Sequence, residues 1–592
     1  MTEPPPLQFS PIAQRVLHER YLRRDPDGRV VETPEEMFLR VARRVAAAEA
    51  RYGGPEVVAR QTAAFHEALR SLKFLPNTPT LMNAGLPRGQ LAACFVIPVH
   101  DDMRSILEGV RDMALIHQTG GGTGFSFTHL RPRGDQVRST GRVASGPVGF
   151  MRIFDTATEV VKQGGRRRGA NMGILKVDHP DILEFIQAKS EPGRFSNFNL
   201  SVAVSDDFMA RVERDEDYPL INPRTQKEVS RLRAKEVFEL ICLCSLETGD
   251  PGLIFLDAIE RDNPTPEVGK LESTNPCGEQ PLLAYESCNL GSINLAQLVK
   301  GGDLDWEELD RLTDLGITFL DDVIDQSHYP LPQITEITHA NRKVGLGVMG
   351  LADLFIRLGV AYDSPEALGL GEKIMARIQL RAVARSEALA QERGPFPNFQ
   401  RSRYFKEGKK PRRNATVTTV APTGTISIIA MTSSGIEPLF AVAYRRRALE
   451  GEEFEVVHPL FLEKLRELDL KAEDWGSRLL TAGRVRPFKE LPEELRRLFP
   501  TTFEVSVDYQ VRMQAAFQRH VENAVSKTIN LAPDATLADI SEAFRLAYKL
   551  GLKGITVYRY GSKPGQVLSL PPEARAITLS HEFAEECRLC SV

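Results

Sequence analysis

Asn275-Pro276-Cys277-Gly278-Glu279-Gln280, running through 281–287 into Cys288-Asn289-Leu290-Gly291-Ser292, is the stretch around which this chain is organised. Pro276 and Gly278 flank Cys277 with turn-forming residues, which predicts a loop and not the interior of a helix. On extended backbone, residues two apart point the same way, so Asn275, Cys277 and Glu279 would share one face. An amide, a sulfur and a carboxylate gathered there can orient a hydroxyl, attack its neighbour and take up its proton. Taken alone, the same residues read as a surface turn with an incidental thiol. The rest of the chain decides between the two readings.

A length of 592 residues predicts two to four domains, or one large barrel with additions. With 42% hydrophobic and 26% charged residues, the composition is that of an ordinary globular protein. A net charge of −4 gives no bulk attraction to nucleic acid. No apolar run reaches the roughly 18 residues of a membrane span, and the Met1-Thr2-Glu3-Pro4 start does not read as a signal peptide. Seven cysteines spread over this length do not make a disulfide scaffold, which points to a reducing cytoplasm.

Residues 1–75 read as an N-terminal helical domain. Apolar residues recur at helical spacing over 11–24 and 34–51, and Thr33-Pro34-Glu35-Glu36 is a well-formed helix start. Leu75-Pro76-Asn77-Thr78-Pro79-Thr80 opens a loop, and Cys94 precedes a short buried strand, Phe95-Val96-Ile97-Pro98-Val99. Alone, Cys94 reads as a small buried hydrophobe. Gly120-Gly121-Gly122-Thr123-Gly124 permits close backbone approach and presents amides to an anion. Two loops rich in Arg and Gly, around 131–142 and 163–171, flank a predicted helix over 148–162, and arginine forks there suit phosphate as well as they suit a solvated basic turn. Cys242 and Cys244 lie in an apolar helical run and read as core. Helices are predicted over 303–329 and 365–393, and 450–550 reads as helical with charged surfaces. The β-branched stretch 415–421 runs into Pro422-Thr423-Gly424-Thr425-Ile426-Ser427, a cradle of amides and hydroxyls for phosphate. No Lys follows that glycine, so it is not a Walker loop. The chain ends with Cys587-Arg588-Leu589-Cys590, a spacing suited to thiol–disulfide exchange, with half a zinc site as the alternative.

Read in order, these motifs resemble a class II, adenosylcobalamin-dependent ribonucleotide reductase over nearly the whole length. The resemblance implies a ten-stranded α/β barrel of two parallel five-stranded halves, spanning 76–560, with a central finger loop carrying Cys277 and a flexible redox tail over 561–592. It implies that adenosylcobalamin, through contacts the sequence does not place, makes Cys277 a thiyl that takes the ribose 3′ hydrogen. Glu279, held with Asn275, accepts the 3′ hydroxyl proton, while Cys94 and Cys288 supply a proton and two electrons as they form a disulfide. Cys587 and Cys590 pass on reducing equivalents from a thioredoxin-like partner. Thr78, Ala93, Gly122, Asn275 and the turn formed by Pro422, Thr423, Gly424, Thr425, Ile426 and Ser427 are implied substrate contacts. Asp101, Asp102, Arg131, Arg138 and Arg168 fall where the family binds a deoxynucleotide or ATP effector. A homodimer and diphosphate substrates are implied too, with no resident metal, no membrane and no nucleic-acid partner.

The chemistry accounts for the residue types. A thiyl can take a hydrogen atom and return it, two electrons need two thiols able to bridge, and a radical survives only away from water. Val557-Tyr558-Arg559-Tyr560 lacks the adjacent Tyr-Tyr pair of class I large subunits, and Arg559-Tyr560-Gly561-Ser562 does not match the class III glycyl-radical motif. The rival readings are a class I large subunit fed by a separate radical-bearing subunit, a noncatalytic nucleotide-binding regulator, and a structural zinc protein using Cys242, Cys244, Cys587 and Cys590.

Overall fold

A computed structural model describes residues 7–137, 142–161, 169–447, 453–471, 473–562 and 568–569. Arg138, Arg168, Cys587 and Cys590 lie outside the described residues. No described helix is long and apolar enough to cross a membrane.

The helices come first. Thr33 caps Pro34–Ala46 with a reciprocal capping box: its side chain accepts from Glu36 N, and the Glu36 carboxylate accepts from Thr33 N. Pro11–Val16, which continues as a wider helical turn to Tyr21, and Pro55–Arg70 complete an N-terminal helical layer. Chain that leaves this layer enters a ten-stranded sheet whose strands we number β1 Phe74–Pro76, β2 Cys94–Val96, β3 Gly122–Ser126, β4 Asn171–Lys176, β5 Phe198–Val204, β6 Gly252–Phe255, β7 Ser287–Asn294, β8 Val344–Met349, β9 Thr528–Leu531 and β10 Gly554–Arg559.

Strands β2 to β6 pair in parallel, each with the next in sequence. Strand β7 meets β2 antiparallel at one edge, and β10 meets β6 antiparallel at the other. Strands β7 and β8 are parallel, as are β9 and β10. The ring closes through residues 416–421, which bridge β8 by Leu346 N→Val417 O (2.8 Å) and Thr419 N→Leu346 O (3.1 Å). On their other side Ser526 N donates to Val420 O at 2.9 Å. Two parallel halves set antiparallel to each other thus make a closed α/β barrel, as the resemblance implies. Strand β1 joins the outer end of β7 in antiparallel register. Strands β3 and β7 are buried at every position, as expected of strands covered on both faces.

The helix Pro365–Arg393 has the expected limits, and the helix expected over 303–329 spans Trp306–Gln326 behind an Asp305 cap. The region 450–550 departs from an all-helical reading. It contains the strand Glu453–Val457, paired with Ala443–Arg447, and the barrel strand β9. Helical spacing of charged residues over a long window hides short strands between helices, because a strand of four or five residues offers too few positions to set its own period.

Candidate active site

Between β6 and β7 the chain forms a short ladder, Ser273–Thr274 against Pro281–Leu282, and its tip at 275–280 projects into the barrel. The tip is a turn. Asn275 N donates to Gln280 O (3.2 Å), Gln280 N donates to Asn275 Oδ1 (3.0 Å) and Gly278 N donates to Asn275 O (3.1 Å). Gly278 holds φ = +81°, a conformation that costs glycine nothing. Asn275, Cys277 and Glu279 therefore converge through a turn that Asn275 closes itself, and not through the strand-like alternation expected from sequence.

The barrel holds this tip on both sides. Asn199 Nδ2 of β5 donates to Pro276 O at 3.0 Å. On the opposite wall Ala524 N (2.9 Å) and Thr419 Oγ1 (3.0 Å) donate to Glu279 O. The glycines of β3 make room for the tip. A Cβ on Gly122 would lie 2.8 Å from Pro276 Cγ, and one on Gly124 would lie 1.7 Å from the Thr274 carbonyl oxygen. The glycine run near 122 thus admits the loop at 275–280, and Gly122 also lines the space beside it.

That space is a cavity of about 580 Å³, mouth included. Of the expected substrate contacts, Thr78, Ala93, Gly122, Asn275, Pro422, Thr423, Gly424, Thr425 and Ile426 all line it, together with Cys94, Cys277 and Glu279. Ser427 does not. Its hydroxyl turns back to Gly424 O (3.3 Å) and Ser434 Oγ (2.9 Å), so it braces the turn from behind. Asn77, Leu290, Gly291 and Ser292 also line the cavity and were not singled out beforehand. Asn77 and Ser292 each stand next to or within a motif that was quoted; what the sequence lacks is the β1–β7 pairing that brings them together. Thr78 Oγ1 lies 2.8 Å from Tyr21 OH, so the N-terminal helices reach the cavity wall.

Glu279 is buried, and burial pushes its carboxyl up to about 7 against the hydrogen bond from Asn275. Its Oε2 has no protein partner, nor has the buried Nδ2 of Asn77. Cys94 and Cys288 stand directly opposite each other across the β2–β7 ladder. Antiparallel partners have Cα atoms about 4.5–5.5 Å apart, within the span of roughly 4.4–6.8 Å that a disulfide bridges. Both are free thiols, pushed well above their ordinary range by burial, and for Cys94 by the nearby Glu279 as well.

The expected effector residues sit elsewhere. Asp101 forms an ion pair with Arg131 (2.8 Å) and accepts from Arg131 N. Asp102 caps the helix Met103–Thr119 by accepting from Ser105 N at 2.9 Å. Cys242 and Cys244 are buried in the helix Ala234–Thr248, as their apolar setting predicts. No cluster of metal ligands occurs among the described residues.

The comparisons with known proteins agree with this geometry. The family described as ribonucleotide reductase, barrel domain, matches residues 92–558, and the ribonucleotide reductase all-alpha domain matches 7–89. A vitamin B12-dependent ribonucleoside-diphosphate reductase of Mycobacterium tuberculosis (strain CDC 1551 / Oshkosh) is 50% identical over 583 residues, which cover 98% of this chain and 84% of that protein. One from Thermoplasma acidophilum is 48% identical over 619 residues, covering 95% and 80%. Among solved structures, the class Id ribonucleotide reductase alpha subunit of Actinobacillus ureae superposes with a TM-score of 0.76 over 93% of this chain and 97% of that one, at 23% identity. That last likeness speaks to the fold.

Proposed function

The chain belongs to the ribonucleotide reductase family, and from this premise we propose that it reduces ribonucleoside diphosphates to 2′-deoxyribonucleotides for DNA synthesis with adenosylcobalamin as cofactor. The observation that carries the chemistry is one cavity lined by a thiol, a sulfur-bearing loop tip, an unpartnered carboxylate and an amide-and-hydroxyl turn.

A ribonucleotide placed there sets its phosphates on the turn at 423–426 and its ribose against Asn275, Cys277 and Glu279. Adenosylcobalamin, when bound, supplies the one-electron oxidising equivalent that the Cys277 thiol needs. The reacting form of Cys277 is the free thiol. It then exchanges a hydrogen atom with C3′, taking it at the start and returning it at the end. The free Oε2 of Glu279 accepts the 3′ hydroxyl proton. Cys94, the thiol of the pair that lines the cavity, gives its proton to the departing 2′ hydroxyl, which leaves as water. The two electrons come from Cys94 and Cys288 as their thiols become a disulfide; the second thiol's hydrogen ends on C2′ and Glu279 returns its proton to O3′, so one C–O bond is replaced by one C–H bond for each S–S bond made. Hydroxide leaves poorly, so the acid at C2′ and the base at O3′ must act together.

The chain also fits the cofactor. A second cavity of about 380 Å³ is lined by Cys277 but by neither Cys94 nor Cys288. Ser201, Gln514, Ser526 and Thr556 line it along with Met172 and Ile254. Gln514 Oε1 there is buried with no protein partner, an acceptor available to the amine of an adenine ring. These residues would hold the adenosyl part.

Around this core we place the remaining partners. Met103, Leu107, Ile153 and Val160 are exposed on the neighbouring helices Met103–Thr119 and Gly146–Val160, which supports a homodimer formed through this face. A deoxynucleotide or ATP effector would bind near Asp101 and Arg131, with Arg138 and Arg168. A thioredoxin-like protein would recharge Cys587 and Cys590, and through them Cys94 and Cys288, in a reducing cytoplasm.

The test is reduction of a ribonucleoside diphosphate by this chain alone, with a dithiol and an effector, with and without adenosylcobalamin. Deoxynucleotide formed only with the cofactor is the expected result. Activity that appears only after a second metal-bearing subunit is added would reject it.

A further inference from the structure

The turn that receives the phosphates is not self-supporting. Thr423 holds φ = +57°, an uncommon conformation for a β-branched residue that persists only where its surroundings impose it. Those surroundings are the segment 432–437. Gly435 N donates to Thr423 Oγ1 at 2.7 Å, Thr432 N donates to Ser427 O at 3.0 Å, and Ser434 Oγ lies 2.9 Å from Ser427 Oγ. The first of these bonds has a chemical effect beyond bracing. With its oxygen already accepting, the Thr423 hydroxyl keeps its own hydrogen to donate into the cavity that it lines.

What fixes 432–435 is one carboxylate behind it. Asp353, in the first turn of the helix Leu351–Leu358, accepts at Oδ2 from Thr432 Oγ1 (2.7 Å) and Ser433 N (2.9 Å). Its own N donates to Ser433 Oγ (3.3 Å), and Gly350 N donates to Ser433 O (2.8 Å). The approach is close enough that a Cβ on Gly350 would meet Thr432 Oγ1 at 2.5 Å. The other carboxylate oxygen, Oδ1, lies 3.1 Å from His458 Nε2. Asp353 is buried, so the imidazole is the partner that steadies its charge. The far end of the segment is tied separately, by Glu437 to Thr528 N (2.9 Å) and Lys527. The end that touches Thr423 and Ser427 depends on Asp353.

We propose that Asp353 and His458 are positioning residues for the substrate phosphates: His458 fixes the Asp353 carboxylate, Asp353 fixes 432–435, and that segment aims the Thr423 hydroxyl and the 423–426 amides at the diphosphate. The inference rests on the reading of the cavity as the substrate site. Burial alone would push the Asp353 carboxyl up, yet the His458 and Thr432 contacts hold it below its ordinary value, in keeping with a carboxylate that stays charged to do this.

The test is calorimetric binding of a ribonucleoside diphosphate, and of the same ribonucleoside without phosphates, to the full-length protein. Asp353→Ala is expected to weaken the diphosphate about tenfold or more, the worth of a charge-assisted hydrogen bond. Affinity for the unphosphorylated ribonucleoside should stay within about twofold, because the ribose contacts are untouched. Asp353→Asn, whose amide oxygen can still accept from Thr432 and Ser433, should recover much of the loss. His458→Gln should weaken the diphosphate about threefold, and it keeps the test alive if the alanine variant does not fold. In turnover the same factors should fall on KM, with kcat within about twofold. Unchanged diphosphate affinity in Asp353→Ala or His458→Gln, or equal weakening of both ligands, would overturn the proposal. A wild-type protein that binds the diphosphate but makes no deoxy product with adenosylcobalamin fails the activity, and the binding comparison still decides the positioning role. A wild-type protein without diphosphate affinity overturns both.

Discussion

Glu279 titrates at about 7 in the fold against an ordinary 4.5, and the two consequences have opposite signs. In the proposed role of base it must be ionised, so kcat/KM should rise as pH climbs through about 7, and Glu279→Gln should abolish both that rise and most of the rate. For stability, the native state holds its proton to higher pH than the unfolded chain. Below the unfolded value both states are protonated and nothing changes. Between about 4.5 and 7 only the unfolded chain ionises, so stability falls with rising pH, and above 7 the full cost remains. Glu279→Gln should therefore be more stable than wild type at pH 8 by as much as about 3 kcal/mol, and nearly equal at pH 4, as read from urea midpoints. A pH-independent difference would show that Glu279 is not a buried, proton-holding carboxyl. Cys277→Ser should give no deoxynucleotide above background while binding diphosphate within about twofold of wild type, because backbone groups of Pro276 and Glu279 hold the loop tip in the barrel. Parallel loss of binding would assign Cys277 to the architecture. At this scale the sequence was informative about placement: Asn275, Cys277, Glu279 and Cys94 line one cavity, and Cys288 stands opposite Cys94.

Elements were legible where one period ran long enough to be read. The helix Pro365–Arg393 and the Thr33 cap followed from spacing and capping. The loop at 275–280 was placed correctly as a loop but given the wrong internal geometry, because a turn closed by an Asn side chain and an extended pair of residues look alike in sequence. The glycines of β3 were read for what they could bind, whereas most of what they do is keep clear of the loop. That difference makes a prediction. Gly124→Ala would place a methyl 1.7 Å from the Thr274 carbonyl oxygen, and a backbone atom cannot rotate aside. The loop must shift, so we expect a loss of about 3 kcal/mol in stability and about 100-fold in kcat with an unaltered reaction. A variant with wild-type kcat would mean that the loop tolerates displacement and that its placement is not what limits the rate.

At the scale of the whole molecule, the N-terminal helices and the barrel are joined by a buried charge cluster that no sequence motif announced. Arg393 donates to Glu49 (2.7 Å), from the N-terminal layer, and to Asp322 (2.8 Å) and Asp321 (3.2 Å) on the helix Trp306–Gln326. Arg342 bonds Asp321 and Asp325, and Arg413 reaches Asp321 and the Tyr52 hydroxyl (2.9 Å). Burial raises the Asp322 carboxyl well above its ordinary value, and its Oδ2 has no partner, so Arg393 has little margin. Arg393→Met should leave Glu49, Asp321 and Asp322 under-compensated and cost about 3–5 kcal/mol, with hydrogen exchange rising across Pro34–Ala46 first. A loss below about 1 kcal/mol would show that apolar packing joins the two parts unaided. Residues up to 361 positions apart in the chain meet here, and for that reason the cluster could not be read in advance: its partners share no local pattern, only a destination.

The barrel interior has a further consequence, for the wall around it. Its strands carry glycine where the loop at 275–280 enters, so the loop is what fills the ring, and a ring completed without it would enclose a void. The closing segments 416–421 and 523–526 donate hydrogen bonds to the Glu279 carbonyl itself. They also lie after the loop in the chain, so Cys94, Cys277 and Cys288 all precede the segments that complete the wall around them. In the native ring the wall therefore closes directly against the loop, and a change that displaces the loop also removes bonding partners from the segments that complete the wall.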